Sequence, residues 1–220
     1  VQVGMALYTG RMGLGEAFAA YGTSDRPDDR IPTVVVDPQQ RALGLVYSSP
    51  ETLTELVDRR VGVYDSRRRG RWEKGATSGA TQRVRAVAWD CDRDAVRVTV
   101  EQAGTGFCHR DTRSCFDADD AGLPGLARRL AQRLSDAPDG SYTRRLLDDP
   151  ALLQAKLIEE AAELAQADTP VDVAHETADV LFFALVAMVR GGVALDAVED
   201  VLDRRALKLT RRPGDAKETP

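Results

Sequence analysis

Residues 83–101 read RVRAVAWDCDRDAVRVTVE, and this stretch decides the fold of the first half of the chain. Apolar and polar residues alternate along Arg83–Trp89 and again along Ala95–Glu101. The alternation predicts two β-strands, because successive side chains of a strand point to opposite faces of a sheet. The two strands flank Asp90–Asp94, so the stretch predicts an antiparallel hairpin with an acidic tip.

The neighbouring sequence extends this pattern in both directions. Upstream, Thr33–Val36 and Leu43–Tyr47 predict two further strands. Pro50–Asp58 predicts a short helix, with Ser48 or Ser49 as its N-cap. Beyond residue 140 the chain becomes rich in Ala, Leu and Glu at spacings of three and four, which is typical of helices. The helices predicted there are Tyr142–Leu147, Leu152–Ala167, Asp172–Arg190 and Leu195–Leu209.

These patterns divide the chain into domains of different secondary structure. We predict the α+β class, with a mostly-β domain over residues 24–116 and an all-α helical domain over 139–213. Residues 117–138 are predicted as a linker, with a short helix from Leu126 to Leu134 inside it. Residues 1–23 are nearly uncharged. They are predicted to be an N-terminal extension of the β domain or the tail of another domain.

The composition excludes several classes of protein. The 220 residues are 43% hydrophobic and 30% charged, which is typical of a folded chain rather than a disordered one. The net charge of −5 argues against binding nucleic acid through overall charge. No apolar run reaches the roughly 18 residues that span a bilayer, and the chain shows no signal-peptide pattern. We therefore expect a cytoplasmic protein with neither a nucleic-acid nor a membrane partner.

The hairpin tip carries candidate metal ligands. If the segment is extended, Asp90 and Asp92 share one face of a strand and Cys91 lies on the other. Carboxylate oxygens, here including Asp94, suit magnesium, whereas a thiolate suits zinc. One segment would then serve two metal sites on opposite sides. The alternative is a solvated acidic tip with an incidental cysteine.

The remaining thiols strengthen the zinc hypothesis. The chain has three cysteines, all within 25 residues, and one of its two histidines, His109, follows Cys108. Cys108 and Cys115 with Cys91 would form a three-thiolate zinc site with an open position for water. His109 would then act as a general base or acid. The alternative is a closed structural zinc site in which His109 is the fourth ligand.

A basic stretch over residues 64–79 has the residue types of a phosphate site. Guanidinium groups bind phosphate in a bidentate manner, and glycines let backbone N–H groups approach it. Trp72 is positioned to stack on a base. The alternatives are a solvated loop or an RNA-binding loop. The candidate substrate-binding residues in this stretch are Arg67, Arg69, Trp72, Lys74, Thr77 and Ser78.

The helical half carries a second group of carboxylates. Helical spacing places Glu160 and Glu163 on one face, with Glu159 adjacent. The next predicted helix carries Glu176 and Asp179 three residues apart. Asp179 leads into the apolar run VLFFALVAMV, where burial of a carboxylate is costly without a cation. The alternative for the glutamates is a solvated face paired with Lys156 and Arg144.

Three motifs in order, WEKGATSGATQRV, WDCDRD and VEQAGTGFCHRDTRSCF, resemble the phosphoribosyl-AMP cyclohydrolase family of histidine biosynthesis over residues 31–116. The resemblance implies hydrolytic opening of the adenine ring. It implies magnesium at Asp90, Asp92 and Asp94, and zinc at Cys91, Cys108 and Cys115, with Cys91 supplied by the neighbouring subunit. The chain departs from the family at Ala80, where many members have His, and at Asp65, where many have an Arg-Ser-Arg run.

Residues 139–210 resemble the phosphoribosyl-ATP pyrophosphohydrolases, through SYTRRLLDDPALLQAKLIEEAAELAQA and HETADVLFFALVAMV. The resemblance implies magnesium-dependent release of pyrophosphate, Lys156 on phosphate, and a homodimer with both sites at the subunit interface. Glu160 and Glu163 would be catalytic, and the magnesium ligands would be Glu160, Glu163, Glu176 and Asp179. The chain is thus expected to be a bifunctional hydrolase of nucleotide substrates, using Zn2+ and Mg2+.

Two other functions fit parts of the sequence. One is a house-cleaning nucleoside triphosphate pyrophosphohydrolase with a structural zinc domain. The other is a zinc-containing RNA-binding module with a helical dimerisation domain. Separately, residues 1–20 resemble the last strand and helix of a (β/α)8 isomerase of the same pathway, and the chain begins with Val. Both features favour a piece cut from a longer fusion.

Overall fold

The structure is a computed structural model that describes residues 4–66, 68, 70–116 and 121–207. It divides into two compact units between residues 118 and 119. The first is built on a β-sheet and the second is helical, so the predicted fold class is confirmed.

The first unit contains a six-stranded sheet. Its strands are β1 (Ile31–Val36), β2 (Ala42–Ser48), β3 (Val63–Ser66), β4 (Gly70–Glu73), β5 (Gln82–Trp89) and β6 (Val96–Gln102). Their order is β4-β3-β2-β1-β6-β5. Neighbouring strands are antiparallel except β1 and β6, which run parallel at the centre.

The described helices of this unit are α1 (Gly4–Tyr8), α2 (Leu14–Ala19) and α3 (Pro50–Arg59). The Ser49 side chain caps α3 by accepting a hydrogen bond from the Thr52 N–H. Leu53 and Leu56 of α3 are fully buried in the core. The α2 helix packs on α3, where the Gly15 N–H donates to Asp58 Oδ1 at 2.8 Å. The uncharged N-terminal segment therefore packs onto the β unit.

Most predicted elements of this unit are confirmed. The β5–β6 hairpin, the β1–β2 pair and α3 lie within a residue or two of the predicted bounds. Two features were not predicted. The basic stretch begins as a second hairpin, β3–β4, and β1 pairs in parallel with β6, a strand sixty residues further along. Parallel pairing between distant strands leaves no local signal in the sequence.

The helical unit contains α4 (Gly122–Asp136), α5 (Tyr142–Asp148), α6 (Pro150–Gln166), α7 (Pro170–Arg190) and α8 (Leu195–Ala206). Side chains of Ser141, Asp149 and Thr169 cap the starts of α5, α6 and α7, so the predicted breaks are confirmed. Leu209, where the last helix was predicted to end, lies outside the described residues.

Helix α4 differs from its sequence-based assignment. Residues 117–138 were predicted as a linker, yet α4 spans fifteen of them. Its Ala127 and Leu130 are buried in the same apolar core as Leu146 and Val186. The helix therefore belongs to the helical unit, because its apolar face is covered by α5 and α7.

Among the described residues, no single helix is long and apolar enough to cross a membrane. Helices α7 and α8 meet the length and composition criteria only as a pair, and they are bent by 111° at the break between them. Four residues of α7 are buried in the core of the helical unit: Phe183, Leu185, Val186 and Val189.

Candidate functional sites

The first candidate site lies in the loop that connects β5 to β6. The Asp90 N–H donates to the Ala95 carbonyl at 3.0 Å, and Arg93 adopts a left-handed conformation with φ of 69°. The loop therefore curls rather than continuing as a strand. The expectation that Asp90 and Asp92 share one face of a strand with Cys91 opposite is wrong, because no extended segment exists here.

The curled loop gathers the aspartate cluster: Asp90, Asp92 and Asp94. Their carboxylate oxygens lie within 4.8 Å of one another, which suits a hard cation. Partial desolvation opposes ionisation of Asp90, but hydrogen bonds from the N–H groups of Ala95 and Asp94 outweigh it and lower its pKa. Desolvation and the charge of Asp92 raise the pKa of Asp94. A bound cation would relieve this repulsion.

The second candidate site is the thiol pair, Cys108 and Cys115, on the loop of residues 103–116. The two thiols lie close enough for each to shift the pKa of the other. A hydrogen bond from the Arg110 backbone is the main cause that lowers the pKa of Cys108. Removal from water and the neighbouring Cys108 raise the pKa of the Cys115 thiol to about 11, although the residue as a whole is exposed. The Cys108 thiol therefore loses its proton at a lower pH than the Cys115 thiol.

An anchor that the sequence analysis missed holds the thiol loop in place. Asp37, at the end of β1, is fully buried and accepts a hydrogen bond from Arg113 at 3.0 Å. The Cys115 N–H donates to the Leu43 carbonyl at 2.8 Å. Phe107 packs on Gly44, where a Cβ atom would lie 2.1 Å from the ring. The available signal in the sequence was an aspartate directly after a predicted strand, in the turn before the next strand.

The third predicted zinc ligand lies apart from the pair within one chain. Cys91 is exposed, and its nearest polar contact is Asp92 Oδ1 at 4.0 Å. Among the described residues, no group of three or more candidate metal ligands within 4.8 Å includes a cysteine. His109 is exposed beside the pair, with its Nδ1 at 3.9 Å from Cys108 Sγ.

The residues predicted to bind phosphate lie in different surroundings. Lys74 is buried beside the thiol pair, whereas Thr77 and Ser78 are exposed on a turn that ends at Gly79. Within the described part of the chain, the N–H groups of Thr77 and Ser78 donate no hydrogen bond. They are available to an anion. Arg67 and Arg69 lie outside the described residues.

Two further positions, Trp72 and Ala80, bear on the predicted binding of a nucleotide substrate. Trp72 packs against the core, with its ring 5.6 Å from that of Tyr64. It is therefore half-buried, and its stacking on a base stays a prediction. Ala80, where many members of the resembled family have His, is buried against Gly104.

The helical unit brings together the glutamate cluster: Glu160, Glu163 and Glu176. Their carboxylate oxygens lie within 4.8 Å of one another. The first two lie one turn apart on α6, and Glu176 faces them from α7. Burial, followed by the charge of Glu163, raises the pKa of Glu176, and its Oε2 is buried with no hydrogen-bond partner. This orphaned oxygen fits a magnesium ligand.

Two neighbours of the cluster differ from their predicted roles. Asp179 is exposed, so the argument that it is a buried carboxylate was wrong; it adds only its charge near Glu176. Lys156 pairs with Glu159 at 2.7 Å and Glu160 at 3.0 Å, and these carboxylates raise its pKa. A substrate phosphate that binds Lys156 would have to compete with these ion pairs.

The fold defines a chain of two units, and each unit gathers its own group of three carboxylates close enough to hold a metal ion. The family model for phosphoribosyl-AMP cyclohydrolase matches residues 44–117. The family model for phosphoribosyl-ATP pyrophosphohydrolase matches residues 123–206, which include α4. The chain belongs to the family of bifunctional histidine-biosynthesis proteins that combine these two domains.

Curated relatives agree with this assignment. The histidine biosynthesis bifunctional protein HisIE of Parasynechococcus marenigrum is 35% identical over 80% of this chain and 88% of its own length. The bifunctional protein his7 of Schizosaccharomyces pombe is 45% identical over 94% of this chain and 49% of its own length. The trifunctional protein of Komagataella pastoris is 50% identical over 93% of this chain, which spans 24% of that relative.

Proposed function

We propose that each unit catalyses one hydrolysis of histidine biosynthesis. The helical unit converts phosphoribosyl-ATP to phosphoribosyl-AMP and pyrophosphate, and the β unit then opens the adenine ring of phosphoribosyl-AMP. The observation that carries the proposal is that each unit gathers its own group of three carboxylates, to which the β unit adds a thiol pair. The two matching family models supply the substrates.

In the helical unit, Glu160, Glu163 and Glu176 would hold magnesium, with Asp179 adding negative charge nearby. Magnesium on the triphosphate neutralises charge and orients a water for attack at phosphorus. The orphaned Glu176 oxygen supports this assignment, because a buried carboxylate without a donor is costly unless a cation takes its place. Lys156 holds Glu159 and Glu160 in position.

In the β unit, the thiol pair fits zinc, because soft thiolates are its preferred ligands. Zinc held there would lower the pKa of a bound water and so supply a nucleophile at neutral pH. Cys91 would complete the ligand set from the partner subunit of a homodimer, which accounts for its exposure and its separation from the pair. His109, exposed next to Cys108, would move the proton as general base or acid.

The aspartate cluster would hold a magnesium ion that serves the same step, and the turn at Thr77 and Ser78 would bind the substrate phosphate through its N–H groups. The net charge of −5 and the thiol ligands favour a reducing cytoplasm. We propose no nucleic-acid or membrane partner.

The test supplies purified protein with phosphoribosyl-ATP, Zn2+ and Mg2+, and follows pyrophosphate and the ring-opened product together. The proposal expects both products. Pyrophosphate from ordinary nucleoside triphosphates without ring opening would favour the house-cleaning alternative. Salt-sensitive RNA binding without turnover would favour the RNA-binding alternative.

A further inference from the structure

Lys74 is a buried cation that the phosphate hypothesis does not explain. Its residue is only 9% exposed, and its ammonium lies 5.6 Å from the centre of the Phe107 ring. Burial lowers the pKa of Lys74, while the nearby Cys115, Cys108 and Asp111 act in the opposite direction. The ammonium therefore lies near Phe107, the residue before Cys108, and close enough to both thiols to be affected by their charge.

The Lys74 ammonium has no local partner of the usual kind. Among the described residues, no carboxylate or carbonyl accepts a hydrogen bond from it and none forms an ion pair with it. Lys156 is the opposite case, because two carboxylates lie at 2.7 Å and 3.0 Å from its nitrogen. The Lys74 nitrogen is not among the fully buried polar atoms that lack a partner, so it keeps some contact with solvent. Burial of the rest of the side chain still disfavours its charge, and the Phe107 ring offsets only a small part of that cost.

The backbone fixes this placement. The Lys74 N–H donates to the Gly62 carbonyl at 2.8 Å, directly after β4. Gly75 then turns the chain with φ of 83°, where a Cβ atom would lie 2.4 Å from the Ala80 carbonyl carbon. Only glycine fits there, so the residue before it is held in one position. The backbone that carries the ammonium is thus fixed, and the side chain reaches the Phe107 ring.

We propose that Lys74 is the electrostatic partner of the thiol pair and strengthens zinc binding there, rather than a contact to the substrate phosphate. Zinc with three thiolates carries one net negative charge, and one buried ammonium balances it. This inference rests on the zinc site of the proposed function. The inference predicts that substitution of Lys74 changes the affinity for zinc, which is measured without substrate.

The test measures zinc affinity of the full-length protein by competition with a chromogenic chelator, without substrate. Lys74→Met should weaken zinc binding at least about tenfold, because a unit charge at short range acts strongly in a water-poor site. Lys74→Arg keeps the charge and should stay within about threefold of wild type. The control is Arg110→Met: Arg110 is exposed but also acts on Cys108, and solvent screening should limit its effect to about twofold.

The outcomes separate the hypotheses. If Lys74→Met keeps wild-type zinc affinity and only raises KM for phosphoribosyl-AMP, Lys74 binds phosphate and the inference is wrong. If wild type itself binds no zinc, the proposed zinc site fails instead. Should Lys74→Met not fold, Lys74→Gln takes its place, and equal zinc affinity for Lys74→Gln and Lys74→Arg would overturn the inference.

Discussion

The glutamate cluster and the thiol pair are built in different ways. The three carboxylates of the glutamate cluster meet within one chain, two from one turn of α6 and the third from α7. The thiol pair lies on a loop held by contacts to β1 and β2, and the proposed third thiol lies elsewhere. A site on helices needs only local geometry, whereas a site on loops depends on distant anchors and, we propose, on a second subunit.

The largest expected effect tests whether the zinc site is shared. Cys91→Ser and Cys108→Ser should each abolish ring opening. When the two inactive variants are mixed and allowed to exchange subunits, heterodimers should regain one intact site each. Random exchange would restore roughly a quarter of wild-type ring opening. The measurement is ring opening of phosphoribosyl-AMP before and after exchange.

The control for this experiment mixes Cys108→Ser with Cys115→Ser. Both residues lie on the same loop, so no heterodimer gains an intact site and activity should stay absent. Equal recovery in both mixtures, or recovery in neither, would contradict a Cys91 supplied by the partner subunit.

The second expected effect concerns the anchor of the thiol loop. Asp37→Asn removes the buried negative charge that faces Arg113 and should lower the free energy of unfolding by about 3 kcal/mol. Asp28→Asn is the matched control, because the Asp28–Arg26 pair at 2.9 Å is exposed to solvent and should contribute much less than the pair of the buried Asp37. Urea denaturation measures both. Equal effects would show that burial does not distinguish these pairs.

The third expected effect concerns the glutamate cluster. Mg2+ should stabilise the full-length protein by about 1–3 kcal/mol when it is present at ten to a hundred times its Kd. Glu163→Gln should remove the part of this gain that the glutamate cluster supplies and leave the part that comes from the proposed magnesium site at the aspartate cluster. Glu159→Gln should retain it, since Glu159 pairs with Lys156 and lies outside the cluster. Thermal melts followed by circular dichroism, with and without Mg2+, measure the gain, and an unchanged gain in Glu163→Gln would exclude the cluster as the site.

The smallest expected effect lies outside both sites, where Glu55 ties α3 to β4. Arg71 and then Arg59 lower the pKa of Glu55 to about 2. Because the folded-state pKa lies below the unfolded value, the stabilisation is present above about pH 4.5 and is lost as the pH falls towards 2. Solvent exposure reduces it to about 1 kcal/mol. Glu55→Gln should therefore lose less stability than wild type between pH 5 and pH 2 in urea titrations.

The sequence predicted those features that depend on local spacing. The β5–β6 hairpin, the helices and the shared face of Glu160 and Glu163 follow from periods of two or 3.6 residues. The meeting of these two with Glu176 of α7 was implied by the family resemblance and not by spacing. The same logic failed where the chain departs from regular structure. An extended strand was assumed at Asp90–Asp94, and the loop curls there instead.

The other errors came from contacts between distant parts of the chain. No local pattern shows that β1 pairs with β6, that Trp72 packs on the core, or that α4 is covered by α7. Asp179 was expected to be buried from the apolar run after it, yet it lies on the exposed face of α7. Lys74 was grouped with exposed loop residues, because sequence spacing does not reveal burial.

The central claim is that two independent sites carry two reactions, and one crossed assay tests it most directly. Cys108→Ser and Glu163→Gln are each given phosphoribosyl-ATP and, separately, phosphoribosyl-AMP. Glu163→Gln should release pyrophosphate at least about a hundredfold more slowly, yet open added phosphoribosyl-AMP at the wild-type rate. Cys108→Ser should show the reverse pattern. Loss of both activities in either variant, while it remains folded, would contradict the account.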